Sequence, residues 1–281
     1  MRAFRIAYDG TAYRGFQRQP HGDTVSDELL RALTALGVVE RGTVPSGYAA
    51  AGRTDAGVSA LAQTVAFDAP PWLAPRAVNS ELPETIRAWA SASVPESFHA
   101  THDATERIYE YDLHAPTADR DRARTALDLL SGSHDVANLT PDDERTERHV
   151  SASLVGDPSP SESPDALSQY LRLRFRAGGF PRQFVRRAVE LIRRVAVGEA
   201  SVETVERVLD PEPLPGPEGI PPATPDPLVL VGVEYPGVEF TRDEEAVSSA
   251  VEGFDRRRID RLTRSRVAGR IRRGIESGTD E

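Results

Sequence analysis

The sequence contains neither cysteine nor lysine among its 281 residues. The absence of cysteine excludes disulfides, thiolate nucleophiles and cysteine-based zinc sites. The six histidines show no helical HxxxH spacing, so we expect no metal. No apolar run approaches the roughly 18 residues of a membrane-spanning helix. The first residues lack the apolar region of a secretory signal, and we therefore expect a cytoplasmic protein.

The charge balance is strongly acidic, yet its positive charge is concentrated. All 34 basic residues are arginine, and 44 acidic residues give a net charge of −10. We interpret this excess as a halophilic-type acidic surface, whose hydrated carboxylates keep a protein soluble in high salt. An acidic total argues against a nucleic-acid partner, because phosphate binding uses a basic face. That objection is weak here because the arginines are clustered along the chain.

The most informative stretch surrounds Asp55, which lies between Arg53 and Gly57. Alternating apolar positions then predict a half-buried strand through Val65 and Phe67. Arg53 would favour the ionised form of the neighbouring carboxylate, which could act as a nucleophile or a base. An Asp in a glycine-flanked turn is more commonly a turn residue that bonds its own backbone. Both interpretations stay open on the residues alone.

Several other segments have clear periodicity. Arg2–Tyr8 alternates as an opening strand, and Thr24 with Asp27 predicts a capping box before a helix. In a strand over Ala104–Leu113, period two places Arg107, Tyr109 and Tyr111 on one face. A glycine-punctuated loop, residues 9–20, carries aromatic and arginine side chains, although an ordinary turn is the simpler reading.

Arginines are densest in a strand over Tyr170–Arg176 and in the helix that follows it. The strand alternates apolar residues with Arg172, Arg174 and Arg176. Such charges are commonly no more than a solvated face. Because the strand and the helix are consecutive, we expect them to form a phosphate-binding surface.

Three stretches fall outside this regular pattern. Residues 140–166 are acidic with a Pro/Ser-rich tip over Asp157–Pro164, which predicts a solvated insertion around one strand. Residues 210–227 contain eight prolines and predict irregular structure. From Thr241 an Arg/Glu-rich helical tail follows, for which we consider a surface helix, a dimer brace and an RNA-contacting arm.

Residues 52–58 (Gly-Arg-Thr-Asp-Ala-Gly-Val), with Ala60 and Gln63, resemble the catalytic motif of the TruA family of tRNA pseudouridine synthases. Further segments match that family in the same order. They are Tyr-Asp-Gly with Tyr-Arg-Gly-Phe-Gln at 8–17, Phe-His-Ala at 98–100, Arg107 with Tyr109, Gly-Ser-His-Asp at 132–135, Phe180 with Val185-Arg186, and the closing strand at 228–235. The resemblance covers roughly residues 1–240.

The resemblance implies a synthase that isomerises uridine in the tRNA anticodon stem-loop, at about positions 38–40, on a base taken out of its stack. No cofactor is implied. The implied catalytic residues are Asp55 as nucleophile, Tyr109 and Arg186. Those implied for substrate binding are Arg53, Thr54, Arg107, Tyr13, Arg14, Gln17, Phe180 and Arg182. Whether Asp55 attacks C1′, attacks C6 or removes a sugar proton stays open.

The alternation of strands and helices predicts an α+β fold with a mostly antiparallel sheet. The resemblance implies two α/β halves that share a mixed sheet flanked by helices, with a cleft between them, and a homodimer. We expect one half over 1–100, a second over 101–240, and the tail over 241–281. Two other functions are considered: a non-catalytic RNA-binding or chaperone protein, and a glycosidase-like hydrolase, which would need two suitably spaced acids.

Overall fold

A computed structural model describes residues 1–156 and 169–278; the tip predicted over 157–164 lies outside these ranges. The strands are β1 Arg2–Tyr8, β2 Ala49–Ala50, β3 Ser59–Phe67, β4 Ile86–Ser93, β5 Glu106–His114, β6 Gly132–Asp135, β7 Glu147–Leu154, β8 Tyr170–Ala177, β9 Leu228–Glu234 and β10 Thr241–Arg242. The α-helices are α1 Val25–Ala35, α2 Pro75–Asn79, α3 Arg120–Leu130, α4 Phe184–Ala196, α5 Glu203–Leu209 and α6 Glu244–Ser277.

The strands form one sheet in the order β10-β4-β1-β3-β9-β5-β8-β7-β6, with β2 paired to β3. Neighbouring strands run antiparallel except β3 and β9, which pair in parallel through Ser59 with Val229 and Ala60 with Leu230. This seam joins β1–β4, from the first hundred residues, to β5–β9; the short β10 lies on the first side, paired with β4. The predicted α+β class with a mostly antiparallel mixed sheet is confirmed.

A separate hydrophobic core lies on each side of the seam. The first packs α1 and α2 against strands β1, β3 and β4, around residues such as Phe4, Ile6 and Leu33. The second packs α3 and α4 against β5 and β8, around residues such as Leu173 and Phe175. Strands β1–β4 come from residues 1–100 and β5–β9 from 101–240, so the predicted division follows the seam. That these are two domains with those limits stays a prediction.

Local signals placed several elements correctly. The capping box that begins α1 is present, since Thr24 accepts from the Asp27 amide and Asp27 accepts from the Thr24 amide. The opening strand lies where alternation predicted it, over Arg2–Tyr8. These confirmations follow from patterns that are complete within a few residues.

The arginines of β8 face acids, and the predicted phosphate-binding surface stays a prediction. These arginines form ion pairs with acids on the neighbouring strand β5, and Arg193 and Arg194 of α4 both bind Glu190. The cross-strand pairs are Arg172 with Asp112, Arg174 with Glu110, and Arg176 with Glu106. The register explains these pairs: β5 presents acids on the same face, and opposite charges on facing strands attract. The surface is therefore largely neutralised.

The predicted helical tail is α6, of which the first part packs on the body. Ala246, Ala250 and Gly253 are buried at its inner face, where small residues permit a close approach to β4. Further along, Arg257 Nε and Arg261 Nη2 donate to Asp9 Oδ2 at 2.8 and 2.6 Å. None of the helices in the two described ranges has the length and hydropathy of a membrane span.

We expect Asp9→Asn to loosen the attachment of α6. Asp9 is 5% exposed. Burial alone would raise its pKa, but hydrogen bonds from Thr11 and Arg257 outweigh burial and hold the pKa at about 2, below the usual 3.8. A lowered carboxyl pKa stabilises the fold above pH 4, and this stabilisation is lost as the pH falls towards 2. At pH 7 the variant should lose about 2 kcal/mol of unfolding free energy.

Urea unfolding at pH 7 and pH 3 measures this effect. The matched control is Asp128→Asn, because Asp128 is exposed and has no ion pair within the described ranges. Equal losses for the two variants, or a loss at Asp9 that is independent of pH, would contradict the prediction.

Candidate active site

The Asp55 loop connects β2 to β3 and is held by several hydrogen bonds. The Ala51 amide donates to the Thr64 carbonyl at 2.8 Å, and the Val58 amide donates to the Asp55 carbonyl at 3.2 Å. The side chain of Thr54 is buried and shares a 2.7 Å hydrogen bond with the hydroxyl of Tyr8. Each side of the turn is therefore fixed to the sheet, which orients the Asp55 side chain.

The loop over residues 9–20 packs directly against this turn. The Phe16 amide donates to the Thr54 carbonyl at 3.1 Å, and the Gly57 amide donates to the Tyr13 carbonyl at 3.2 Å. Gly15 has φ +96, and a Cβ there would lie 2.8 Å from the Thr54 carbonyl oxygen. A glycine is thus required at this position both for the backbone angle and for the contact.

Arg186 reaches Asp55 from the first turn of α4, across the seam. Its Nη1 lies 3.2 Å from Asp55 Oδ2, while its Nε donates to the Ala223 carbonyl at 2.7 Å. The Arg186 carbonyl in turn accepts from the Ala223 amide at 3.0 Å. The Asp55 side chain is 30% exposed and its Oδ1 accepts no hydrogen bond from the described part of the chain. One oxygen is anchored and the other is available to a ligand.

Tyr109 lies beside Asp55 and packs against both hydrophobic cores. Its ring meets Phe180 edge-on at 5.5 Å between centroids, and Phe180 stacks on Phe184 at 5.8 Å. Burial and the negative charge of Asp55 raise the pKa of Tyr109 above its usual range, against a smaller opposing effect of Arg107. The phenol therefore stays protonated at neutral pH and can donate a hydrogen bond.

Arg107 supports the Asp55 loop from beneath. It is buried, and its three guanidinium nitrogens donate to the carbonyls of Ala51, Thr101, Ala104 and Gly178. With its donors engaged in this way, Arg107 is placed to hold the start of the loop. The predicted contact of Arg107 with substrate stays untested and has no geometric support here.

The remaining predicted binding residues are more dispersed. Arg53 is exposed and makes no ion pair within the described ranges, so Arg186, rather than the sequence neighbour, pairs with Asp55. Arg14 and Gln17 are exposed on the 9–20 loop, and Tyr13 is half-buried with its hydroxyl 2.5 Å from Thr85 Oγ1. Arg182 lies 3.4 Å from Asp142. The structure thus groups Asp55, Thr54, Arg186, Tyr109 and Phe180 closely.

Sequence reasoning missed two contributors to the site. The alternation over Arg2–Tyr8 predicts only a strand position for Tyr8, although its hydroxyl shares a hydrogen bond with the Thr54 side chain. Ala223 lies in the proline-rich stretch and contributes only backbone atoms, which leave no side-chain signal in a sequence. Within the described ranges, no group of three or more His, Cys, Asp or Glu residues is arranged to hold a metal ion.

Comparison with known proteins identifies the class. A family profile described as tRNA pseudouridine synthase matches residues 126–236, which include Arg186 but not Asp55. A "tRNA pseudouridine synthase A" from Natronomonas pharaonis is 56% identical over 96% of this chain and 98% of its own. A protein of the same name from Haloarcula marismortui is 54% identical over 98% of this chain and 100% of its own. Another, from Thermococcus onnurineus, is 34% identical over 97% of this chain and 99% of its own. The chain belongs to the tRNA pseudouridine synthase A family, a family of isomerases.

Among solved structures, the chain resembles one titled "Crystal structure of the archaeal box H/ACA sRNP Nop10-Cbf5 complex". That similarity has a TM-score of 0.33 and 11% identity over 68% of this chain and 43% of the other.

We expect Gly15→Ala to disturb the Asp55 loop, since the added Cβ would meet the Thr54 carbonyl. The backbone strain and the clash together should cost about 2–4 kcal/mol of unfolding free energy. Gly37→Ala is the matched control, because Gly37 also has a positive φ, +69, but open space around it. Urea unfolding should give a larger loss for Gly15→Ala; equal losses would show that the contact with Thr54 contributes nothing.

Proposed function

We propose that this protein converts uridine to pseudouridine in tRNA, with Asp55 as its nucleophile. The observation that supports this best is the anchoring of one Asp55 oxygen by Arg186 while the other has no partner in the described part of the chain. A carboxylate oriented in this manner can attack an electrophilic carbon of a nucleotide. The names of the relatives support tRNA as the substrate.

The proposed reaction needs no exchange of electrons or groups. The bond between N1 and C1′ of uridine breaks, the base turns, and C5 bonds to C1′. C5 then loses its proton, and N1 gains one. A single carboxylate can form and release the covalent intermediate, provided that the nucleotide is taken out of its stack. As a nucleophile, Asp55 would attack C1′ or C6; in the alternative it would act as a base that removes a sugar proton.

Tyr109 and Phe180 would then hold the displaced uracil. Tyr109 lies near Asp55 and its ring contacts that of Phe180, and flipped bases are commonly stacked against aromatic side chains. Because the Tyr109 phenol is protonated, it would act first as a donor to the base, and it could relay the proton lost from C5. Arg186 would hold the Asp55 carboxylate in place throughout.

The finer assignments rest on the family resemblance. We propose that the target lies in the anticodon stem-loop, at about positions 38–40, and that the target base leaves its stack to react. We also propose that the active form is a homodimer and that the protein is cytoplasmic. Arg53, Arg14 and Gln17 are exposed near the Asp55 loop, where they could contact the RNA backbone. Arg182 would contribute from the start of α4.

Tritium release from tRNA transcripts labelled at uridine C5 tests the proposal. We expect release by the wild type and at least a 1,000-fold slower rate with Asp55→Asn, because the amide cannot serve as an anionic nucleophile. The variant should still bind tRNA and unfold at about the wild-type urea concentration. Tyr109→Phe keeps the ring and should retain binding while it slows the release step.

Absence of release by the wild type from any tRNA and at any salt concentration would contradict the proposal. If RNA binding persisted in that case, the protein would be a non-catalytic RNA-binding or chaperone protein. Tritium release by Asp55→Asn at the wild-type rate would show that the protein is a synthase but that Asp55 is not its nucleophile.

The acidic composition leads us to propose that the fold is adapted to high salt. The chain has a net charge of −10 without lysine, and screening of like charges should stabilise it. Urea unfolding in about 0.1 M and 3 M KCl measures this, with a higher midpoint expected in 3 M. Equal midpoints would contradict the adaptation.

A further inference from the structure

The C-terminal half of α6 is the most basic segment of an acidic protein. Residues 256–273 contain nine arginines and a single acid, Asp260. This segment, which we call the basic arm, carries a net charge of +8, so the rest of the chain carries −18. The family profile ends at residue 236, before α6 begins. A concentration of one charge sign against the overall balance is the electrostatic pattern of a phosphate-binding element.

The basic arm extends beyond the body of the protein. Residues 258–278 are exposed throughout, apart from the half-buried Gly269. At 1.5 Å per residue, these residues extend about 30 Å as one helix. Arginines are therefore available to a partner all along this length.

Six of the nine arginines in the arm have an acidic partner, and three in its outer part have none in the described ranges. Arg266, Arg270 and Arg273 make no ion pair within the described ranges. Arg264 and Arg272 pair with acids on the same helix, in exposed contacts that contribute little. The outer part of the arm thus presents three exposed arginines without an acidic partner in the described ranges, beside others held only in exposed ion pairs.

The base of the arm is connected to the candidate active site. Arg257 and Arg261 bind the buried Asp9, which begins the 9–20 loop. That loop contacts the Asp55 turn through the amide of Phe16 and the carbonyl of Tyr13. An RNA whose nucleotide enters the site would therefore have its flanking backbone close to the start of the arm.

The apolar side chains of the arm do not favour a protein or membrane partner. Ile259, Leu262, Val267, Ile271 and Ile275 are each at least half exposed. At 100° per residue, they spread over roughly 220° of the helix circumference, with arginines between them. A coiled-coil seam or a membrane-lying helix needs a continuous apolar stripe. The arm lacks this stripe.

We propose that the basic arm binds the phosphate backbone of the tRNA substrate, outside the nucleotide that reacts. This inference rests on the proposed function for the identity of the RNA. Its basis is the net charge of +8 on an exposed helix anchored beside the site, with Arg266, Arg270 and Arg273 unpaired in the described ranges. The arm contributes affinity and orientation, independent of base sequence. It takes no part in the chemical step.

The test compares Arg266→Gln/Arg270→Gln with Arg41→Gln/Arg145→Gln. Arg41 and Arg145 are likewise exposed, off the arm, and without an ion pair in the described ranges. Binding of a tRNA transcript is measured from about 0.1 to 1 M KCl. Each lost phosphate contact should reduce the slope of log Kd against log [KCl] by about one. The slope for the arm variant should therefore be lower by about two. If its curve meets that of the wild type at 1 M KCl, the variant binds tRNA about 100-fold more weakly at 0.1 M.

The control pair should keep the wild-type slope, and the arm variant should release tritium at the wild-type rate when tRNA is saturating. A wild-type slope in the arm variant would overturn the proposal. So would loss of a dimer in sedimentation with RNA binding unchanged, since the arm would then serve self-association. If the wild type binds tRNA but releases no tritium, the proposed function fails while a reduced slope still supports the arm.

Discussion

The parallel pairing of β3 with β9 is the constraint on which the rest of the structure depends. It involves only two residue pairs, and it begins at Ser59, directly after the Asp55 turn. Other bonds across the seam reinforce it: Arg5 donates to the Val233 carbonyl at 2.6 Å, and Tyr235 donates to the Ala100 carbonyl at 2.6 Å. The seam brings a carboxylate from the first hundred residues within reach of Arg186, which lies 131 residues later.

Arginine has three distinct roles in this chain. The half-buried Arg5 and the buried Arg107 use several nitrogens to join backbone carbonyls from distant segments. Arginines on β8 neutralise the acids of β5. In the outer part of the basic arm, Arg266, Arg270 and Arg273 have no ion pair within the described ranges. A planar guanidinium with five donors suits the first role, which a lysine ammonium would fill less well. The location of each arginine, more than their number, decides its function.

The sequence predicts the helices and strands better than it predicts which side chains and strands they contact. Strand alternation over Arg2–Tyr8 and the capping box at Thr24 depend on neighbours within a few residues, and both were confirmed. The neutralised face of β8 could not be foreseen, because the register between β5 and β8 depends on tertiary packing. For the same reason the carbonyl of Ala223 left no signal. The resemblance supplied Arg186, and the structure supplies its distance from Asp55.

The proline-rich stretch over residues 210–227 shows how irregular backbone can hold a site. It contains eight prolines, and each ring fixes a φ angle and narrows the range of conformations open to the unfolded chain. This stretch carries the Ala223 carbonyl that binds Arg186, and Pro225, whose Cγ would lie 2.7 Å from a Cβ at Gly57. It therefore loses less chain entropy on folding than a flexible loop of equal length. Stiffness built into the covalent chain replaces the ladder of hydrogen bonds that a helix or strand would use.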